Sequence, residues 1–303
     1  MKNGVITNGL TQDGFGARLQ RALNVMAFTY NLNENLNSNL EYVHTPFSYE
    51  GFGEDFSMGE KDREIGDNKE PYDEITRKGY LNRATLWDNF LGYKGKKIAE
   101  LNLEDYKIID DFDLYLSTLL NDIKNKSTND KVYLLKYLQQ QLNSGYIDFN
   151  IIDKYREKIL SNFSLISETP SNEIIVHIRR KDAIYHGYER YLPDEYYLEI
   201  LEKLKPYKND FNIKIYTQRK NFDYSKYTGW DICYDDEIED FDLFYKMVNC
   251  KVLIVGKSSF SITAAMLNKN IIVYPEQPTK GLDRWINNIN FFKLIENNEL
   301  QIS

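Results

Sequence analysis

Four short apolar runs in the second half of the chain, "EIIVHIRR", "FNIKIYTQ", "KVLIVG" and "IIVYP", restrict its fold more than any other feature. In the first of them Ile174, Val176 and Ile178 alternate with Ile175, His177 and Arg179, the period of two that marks a strand. Helical patterns separate the runs. A helix is expected from "LPDEYYLEILEKL", with Pro193 in its first turn, and others from "DFDLFYKMVN" and "SSFSITAAMLNK"; "WDICY" reads as a shorter extended piece. Strands and helices alternating at this length give a parallel sheet covered on both faces. Ligands of such sheets sit outside the carboxyl ends of the strands. Arg179-Arg180 and Ser258-Ser259 lie at two such ends.

The first half is less regular. "QDGFGARLQRALNVMAFTY" (Gln12 to Tyr30) carries a helix in which Leu19, Ala22, Leu23, Met26, Ala27 and Tyr30 follow the i, i+3, i+4, i+7 template. Gly51 to Glu74 is acidic and glycine-punctuated, and reads as a long surface loop. Helical patterns follow at Ile109 to Lys124, Lys131 to Asn143 and Ile151 to Phe163. "SLISETPSN" (Ser164 to Asn172) has turn chemistry and Pro170, so two domains are expected, 1–168 and 169–303. There is no internal repeat.

Composition excludes several classes. With 42% hydrophobic and 14% aromatic residues over 303 positions, the chain can build real cores. A net charge of -8 argues against a nucleic-acid partner, whose binding face is normally basic, while leaving room for a local basic pocket at "RRK". Two cysteines, Cys233 and Cys250, make no disulfide framework and point to a reducing compartment. The three histidines, His44, His177 and His186, show no metal-ligand spacing. The N-terminus lacks the apolar core of a signal peptide, and no apolar run approaches the roughly 20 residues that span a bilayer. A soluble, cytoplasmic protein is the expectation.

Three motifs carry chemistry, each beside a plainer alternative. Two adjacent arginines at a strand end, one on each face, need an anion, and their forked donors suit phosphate or carboxylate. The alternative is a surface ion pair with Asp182 or Glu189, which would be worth little. "GKSSFS" (Gly256 to Ser261) follows a buried strand and opens a helix, which makes it an anion site or a simple N-cap. It is not a Walker loop, because the G-x-x-x-x-G-K spacing is absent. Gly14 and Gly16 flank Phe15 before the first helix; they allow close backbone approach to a ligand or simply a turn. His177 is a ligand-side group or a satisfied core histidine. His186 and Glu189 lie on a glycine-containing loop where solvated side chains are the default.

Taken together, "HIRRKD", "DGFGARLQRALNVMAFTY" and "DLFYKMVNCKVLIVGKSSFSITAAMLNKNIIVYP" resemble the blocks of the α1,2/α1,6-type fucosyltransferases, including the nodulation enzymes. The blocks appear in the family's order over roughly two-thirds of the chain, and "YLPDEYYLEIL" resembles the segment that follows the arginine block. The resemblance implies a GT-B type α/β fold, two Rossmann-like domains facing a cleft, with GDP-fucose on the second domain and the acceptor glycan on the first. It implies inversion with no metal and no other cofactor. Residue by residue, Arg179 would grip the β-phosphate and Arg180 would support it. His177 would lie near the nucleotide, with Ser258 and Ser259 at the phosphates and Phe260 among the residues that bind the donor. Gly14, Phe15 and Gly16 would close over the pyrophosphate, and Asp242 would read the guanine. Glu189 is the first candidate for general base, with Asp13 and Asp182 behind it. Lys181 stands where many members have a small residue or threonine, and "IYTQRKN" replaces an acidic pair; both bear on base and sugar selectivity.

Physically, a sugar-nucleotide transfer needs charge stabilisation on the leaving diphosphate and a base for the acceptor hydroxyl. Arginines supply the first without a metal, although the acidic pair Asp235-Asp236 also exists. The competing readings are a glycosyltransferase with another donor, a catalytically silent nucleotide-sugar binder, and an interaction module with the arginines as a surface patch.

Overall fold

A computed structural model describes residues 2–9, 14–49, 74–109, 115–135, 150–165, 171–180, 192–219, 223–275, 281–297 and 299. The chain forms two compact units, Met1–Leu165 and Ile166–Ser303.

In the first unit, strands β1 (Val5–Asn8), β2 (Glu41–Tyr42), β3 (Lys107–Ile109) and β4 (Lys131–Leu135) make a parallel sheet in the order β2-β1-β4-β3. Helix α1 (Phe15–Leu36) packs on β1 and β2. Helix α2 (Glu74–Leu91) follows, α3 (Tyr115–Lys124) lies against β4, and α4 (Ile151–Leu160) packs on α1.

Several expectations are corrected here. The helix expected from Lys131 begins instead as β4, because "KVYLL" is a short apolar run with a β-branched and an aromatic residue that pairs on both sides. The rest of that segment, 136–149, lies outside the described residues. Ile109 ends β3 rather than opening a helix, and the helix of that region starts at Tyr115. Glu74, the last residue of the expected loop, begins α2; 51–73 lie outside the described residues.

The second unit holds β5 (Ser171–Ile178), β6 (Asn212–Thr217), β7 (Asp231–Tyr234), β8 (Cys250–Ile254) and β9 (Ile271–Val273), all parallel, in the order β7-β6-β5-β8-β9. Helix α5 (Asp194–Leu204) connects β5 to β6, α6 (Asp240–Asn249) leads into β8, α7 (Ser259–Leu267) joins β8 to β9, and α8 (Asn288–Glu296) follows. Pro193 sits at the N-cap of α5, one residue before its first turn. Ile174, Val176 and Ile178 face a core shared with Tyr197, Ile200 and Leu201 of α5 and with Phe291 of α8. The opposite face of β5 is covered from the α6 side, where Lys246 pairs with Glu173 at 3.2 Å.

Two parallel sheets, each flanked by helices, agree with the α/β, GT-B type expectation. The strand order of the second sheet has a consequence for ligands. Strands β6 and β7 are added on one side of β5, β8 and β9 on the other, so the order reverses between β5 and β8. That reversal is where open α/β sheets hold ligands at their carboxyl ends. Among the described residues no helix is long and apolar enough to cross a membrane, and Cys233 and Cys250 are both free thiols.

Candidate functional site

The loops leaving β5 and β8 flank the reversal point, and they carry Arg179-Arg180 and Gly256–Ser261. They are drawn together by Gly256. A Cβ on that residue would lie 2.7 Å from the Tyr197 hydroxyl and 3.1 Å from the His177 carbonyl oxygen, so only glycine lets the two strand ends come this close. Arg179, half-buried, then reaches across. Its Nη1 donates to the Ser258 Oγ at 3.3 Å.

That contact bears on the N-cap alternative for Ser258. The residue occupies the N-cap of α7, is 2% exposed, and makes no side-chain cap bond. Its hydroxyl accepts from Arg179 instead. A helix leaves its first amide N–H groups without partners in the helix itself, and their positive end faces the same point as the guanidinium. Ser259 and Phe260, both half-buried, form the first turn. The Phe260 ring lies 6.1 Å from the His177 ring and 5.4 Å from Phe244.

His177 is 4% exposed, and its Nδ1 has no hydrogen-bond partner. Burial, reinforced by the charge of Arg179, pushes its imidazole down to about 3, so it is neutral at working pH.

Arg180 behaves differently from its neighbour. It is fully buried and turns toward α5. Its Nη2 donates to Asp194 Oδ1 at 2.5 Å, its Nη1 to the Leu192 carbonyl at 3.1 Å, and its backbone N–H to Gln218 Oε1 at 2.7 Å. Its guanidinium lies 5.4 Å from the centre of the Tyr197 ring. Among the described residues its ion-pair partner is Asp194, in the interior. Asp194, Gln218 and Tyr227, whose hydroxyl donates to Asp194 Oδ1 at 2.8 Å, were not singled out in the sequence.

The remaining candidates are dispersed. Asp242 is exposed in the first turn of α6, which starts at the same end of the sheet as α7. Gly14, in the first unit, is the N-cap of α1, and an added Cβ would meet nothing within 4 Å, so neither packing nor φ (-62°) demands glycine there. Phe15 stacks on Trp87, with ring centres 3.5 Å apart, and meets Phe47 edge-on. Gly16 is buried in α1. Asp13, Lys181, Asp182, His186 and Glu189 lie outside the described residues.

The acidic pair is engaged elsewhere. Asp236 accepts from Arg219 Nε at 2.9 Å, and Asp235 from the Arg219 backbone N–H at 3.2 Å. Among the described residues no group of three or more His, Cys, Asp or Glu could hold a metal ion. A shallow hollow of about 420 Å³, lined by Tyr224, Tyr227, Trp230, Tyr234 and Arg219, lies along the β7 edge. It is two strands from β5 and includes neither Arg179 nor Ser258.

No family model matches the chain, and no curated protein matches it. Solved structures do. The E. coli heptosyltransferase WaaC with ADP is similar at 12% identity and a TM-score of 0.42, covering 97% of this chain and 99% of that one. The E. coli ADP-heptose LPS heptosyltransferase II is similar at 12% identity and 0.37, covering 99% and 98%. POFUT1 in complex with GDP is similar at 10% identity and 0.39, covering 95% and 98%. Similarities at this level assign neither a substrate nor a role to any residue here.

Proposed function

We propose that this chain is an inverting, metal-independent glycosyltransferase that moves fucose from GDP-fucose to a hydroxyl of a glycan. The observation that carries the reading is the Arg179 guanidinium meeting Ser258 at the start of α7, at the reversal point between β5 and β8. Fixed guanidinium, hydroxyl and helix-end amide groups form a site for a diphosphate. The choice of guanine and fucose comes from the motif resemblance, with Asp242 as the base-reading acid.

In this reading residues 169–303 hold the donor, residues 1–168 serve the acceptor, and the enzyme works in the cytoplasm. The bond from the anomeric carbon to the β-phosphate oxygen breaks as the acceptor oxygen attacks from the opposite side. Arg179, Ser258 and the first turn of α7 take up the charge that grows on the leaving GDP. The acceptor proton goes to a carboxylate, with Glu189 proposed ahead of Asp13 and Asp182. Neutral His177 shapes the site without adding a second positive charge.

A nucleotide panel tests the donor. GDP at a hundred times its dissociation constant adds about 2.7 kcal/mol to stability, so GDP and GDP-fucose should raise the melting temperature well beyond UDP or ADP. Equal shifts from all of them would remove guanine selectivity, and binding without turnover would leave a silent nucleotide-sugar binder. For the base, Glu189→Gln should lower kcat by about 10²- to 10⁴-fold with GDP affinity unchanged. Near-normal turnover in that variant, with collapse in Asp13→Asn, would move the role to Asp13.

A further inference from the structure

We infer that Asp194 is the positioning residue of the arginine pair: by holding Arg180 inside the domain it sets the turn that presents Arg179 to the phosphates. The inference rests on the diphosphate reading above and extends it to residues that touch no substrate.

Arg179 and Arg180 are consecutive, so the conformation of one constrains the direction of the other. Arg180 is held from three separate elements. The end of β6 supplies Gln218, which accepts its backbone N–H; the approach to α5 supplies the Leu192 carbonyl; and α5 supplies Asp194. Asp194 is itself 7% exposed and fixed by the Tyr227 hydroxyl, with the Lys226 ammonium 3.6 Å away. On the other side of the same turn, Gly256 brings the β8 loop against the Arg179 backbone; an added Cβ would lie 3.7 Å from its N. The peptide joining the two arginines is therefore gripped on both sides of the sheet end.

Stability alone does not account for such a pair. An ion pair buried in a core is commonly matched or bettered by apolar residues of the same volume. Its distinguishing property is direction: a forked guanidinium bound to a carboxylate has one geometry, whereas an apolar side chain has several. A diphosphate site that depends on one half-buried arginine needs that direction held before the ligand arrives.

The test separates phosphate recognition from folding. Calorimetry would be run with inorganic pyrophosphate, GDP and guanosine on the full chain, for wild type, Asp194→Asn and Tyr227→Phe. Asp194→Asn keeps the shape and one acceptor oxygen but removes the charge. It should weaken pyrophosphate and GDP by about tenfold or more, the scale of a charge-assisted hydrogen bond, and leave guanosine within about twofold. Tyr227→Phe retains the carboxylate, so it tests the idea even if Asp194→Asn fails to fold, and should give a smaller loss on the same two ligands. Unchanged pyrophosphate affinity in folded variants, or guanosine weakened as much as GDP, would overturn the inference alone. A wild-type chain that binds neither pyrophosphate nor GDP would overturn the diphosphate reading and this inference with it.

Discussion

Substituting the two adjacent arginines one at a time should give opposite phenotypes. Arg179→Ala should lower transfer by about 10²- to 10³-fold, the usual cost of removing a group that stabilises developing charge, and leave the melting temperature nearly unchanged. The half-buried side chain reaches the Ser258 hydroxyl at the sheet end and is not part of the apolar core around β5. Arg179→Lys should rescue poorly, because an ammonium has no fork for two phosphate oxygens. Arg180→Ala should do the reverse of Arg179→Ala in the first instance. It leaves Asp194 buried beside a cavity, and breaking a buried pair from one side costs about 3–5 kcal/mol. Activity would then fall with the folded fraction, and the folded remainder would also hold the diphosphate more weakly, because Arg180 no longer sets the turn that presents Arg179. Because Arg179 supplies the positive charge in this scheme, wild-type transfer should persist in excess EDTA. Chemical denaturation beside initial-rate assays on the three variants decides the matter. An Arg179→Ala enzyme with normal turnover, or activity restored only by added magnesium, would contradict the assignment.

The second unit was largely legible in the sequence because its strands are short apolar runs bounded by Gly, Ser or Arg and spaced by helices. Alternation also separates Arg179 from Arg180, since neighbours in a strand point to opposite faces. The first unit hid its strands. In β1, Thr7 and Asn8 are buried polar residues: Thr7 pairs with the Thr45 hydroxyl at 2.6 Å, and the Asn8 amide donates to the Thr45 carbonyl at 3.0 Å. A strand whose buried groups are satisfied by a distant loop shows no alternation of polar and apolar residues. "KVYLL" is ambiguous for a different reason, since a run of four apolar residues fits a helix turn and a strand equally well.

The site divides in the same way. Arg179 and Ser258 were legible because a charge and a hydroxyl at strand ends are conspicuous in an α/β domain. Asp194 was not, because an acid in the first turn of a helix is ordinary and needs no partner to explain it. Only the fold shows that its oxygen faces Arg180. Gln218 and Tyr227 carried no signal at all, as their roles exist only once β6 and β7 lie beside β5.

Mild acid should destabilise both units, each through one buried histidine. His44 of the first unit is 2% exposed, surrounded by Tyr93 and Phe47, and accepts or donates at Nδ1 to the Tyr42 hydroxyl at 3.1 Å. Burial, with Lys97 adding repulsion, pushes its imidazole down to about 3. His177 of the second unit is lowered to about 3 by burial and by Arg179. An unfolded imidazole titrates near 6.5. Between about 6.5 and about 3 the unfolded chain therefore binds protons that the folded chain refuses, so stability rises with pH across that window. The full contribution is present above 6.5 and is lost progressively as the pH falls toward 3. Each histidine gives a limiting slope of about 1.4 kcal/mol per pH unit, which by pH 5 is a sizeable part of a stability of about 5–15 kcal/mol. The range from 7 to 5 isolates them, since ordinary carboxylates titrate lower. Denaturant unfolding at pH 7.0, 6.0 and 5.0 should show the slope in both units, and the comparison rests on slope, not absolute stability. His177→Gln should flatten the pH dependence of the second unit and leave the first alone, with His44→Gln doing the converse. Stability that is flat from pH 7 to 5 in the wild-type protein would mean that both rings ionise normally in the fold, and that His177 carries charge beside Arg179 after all.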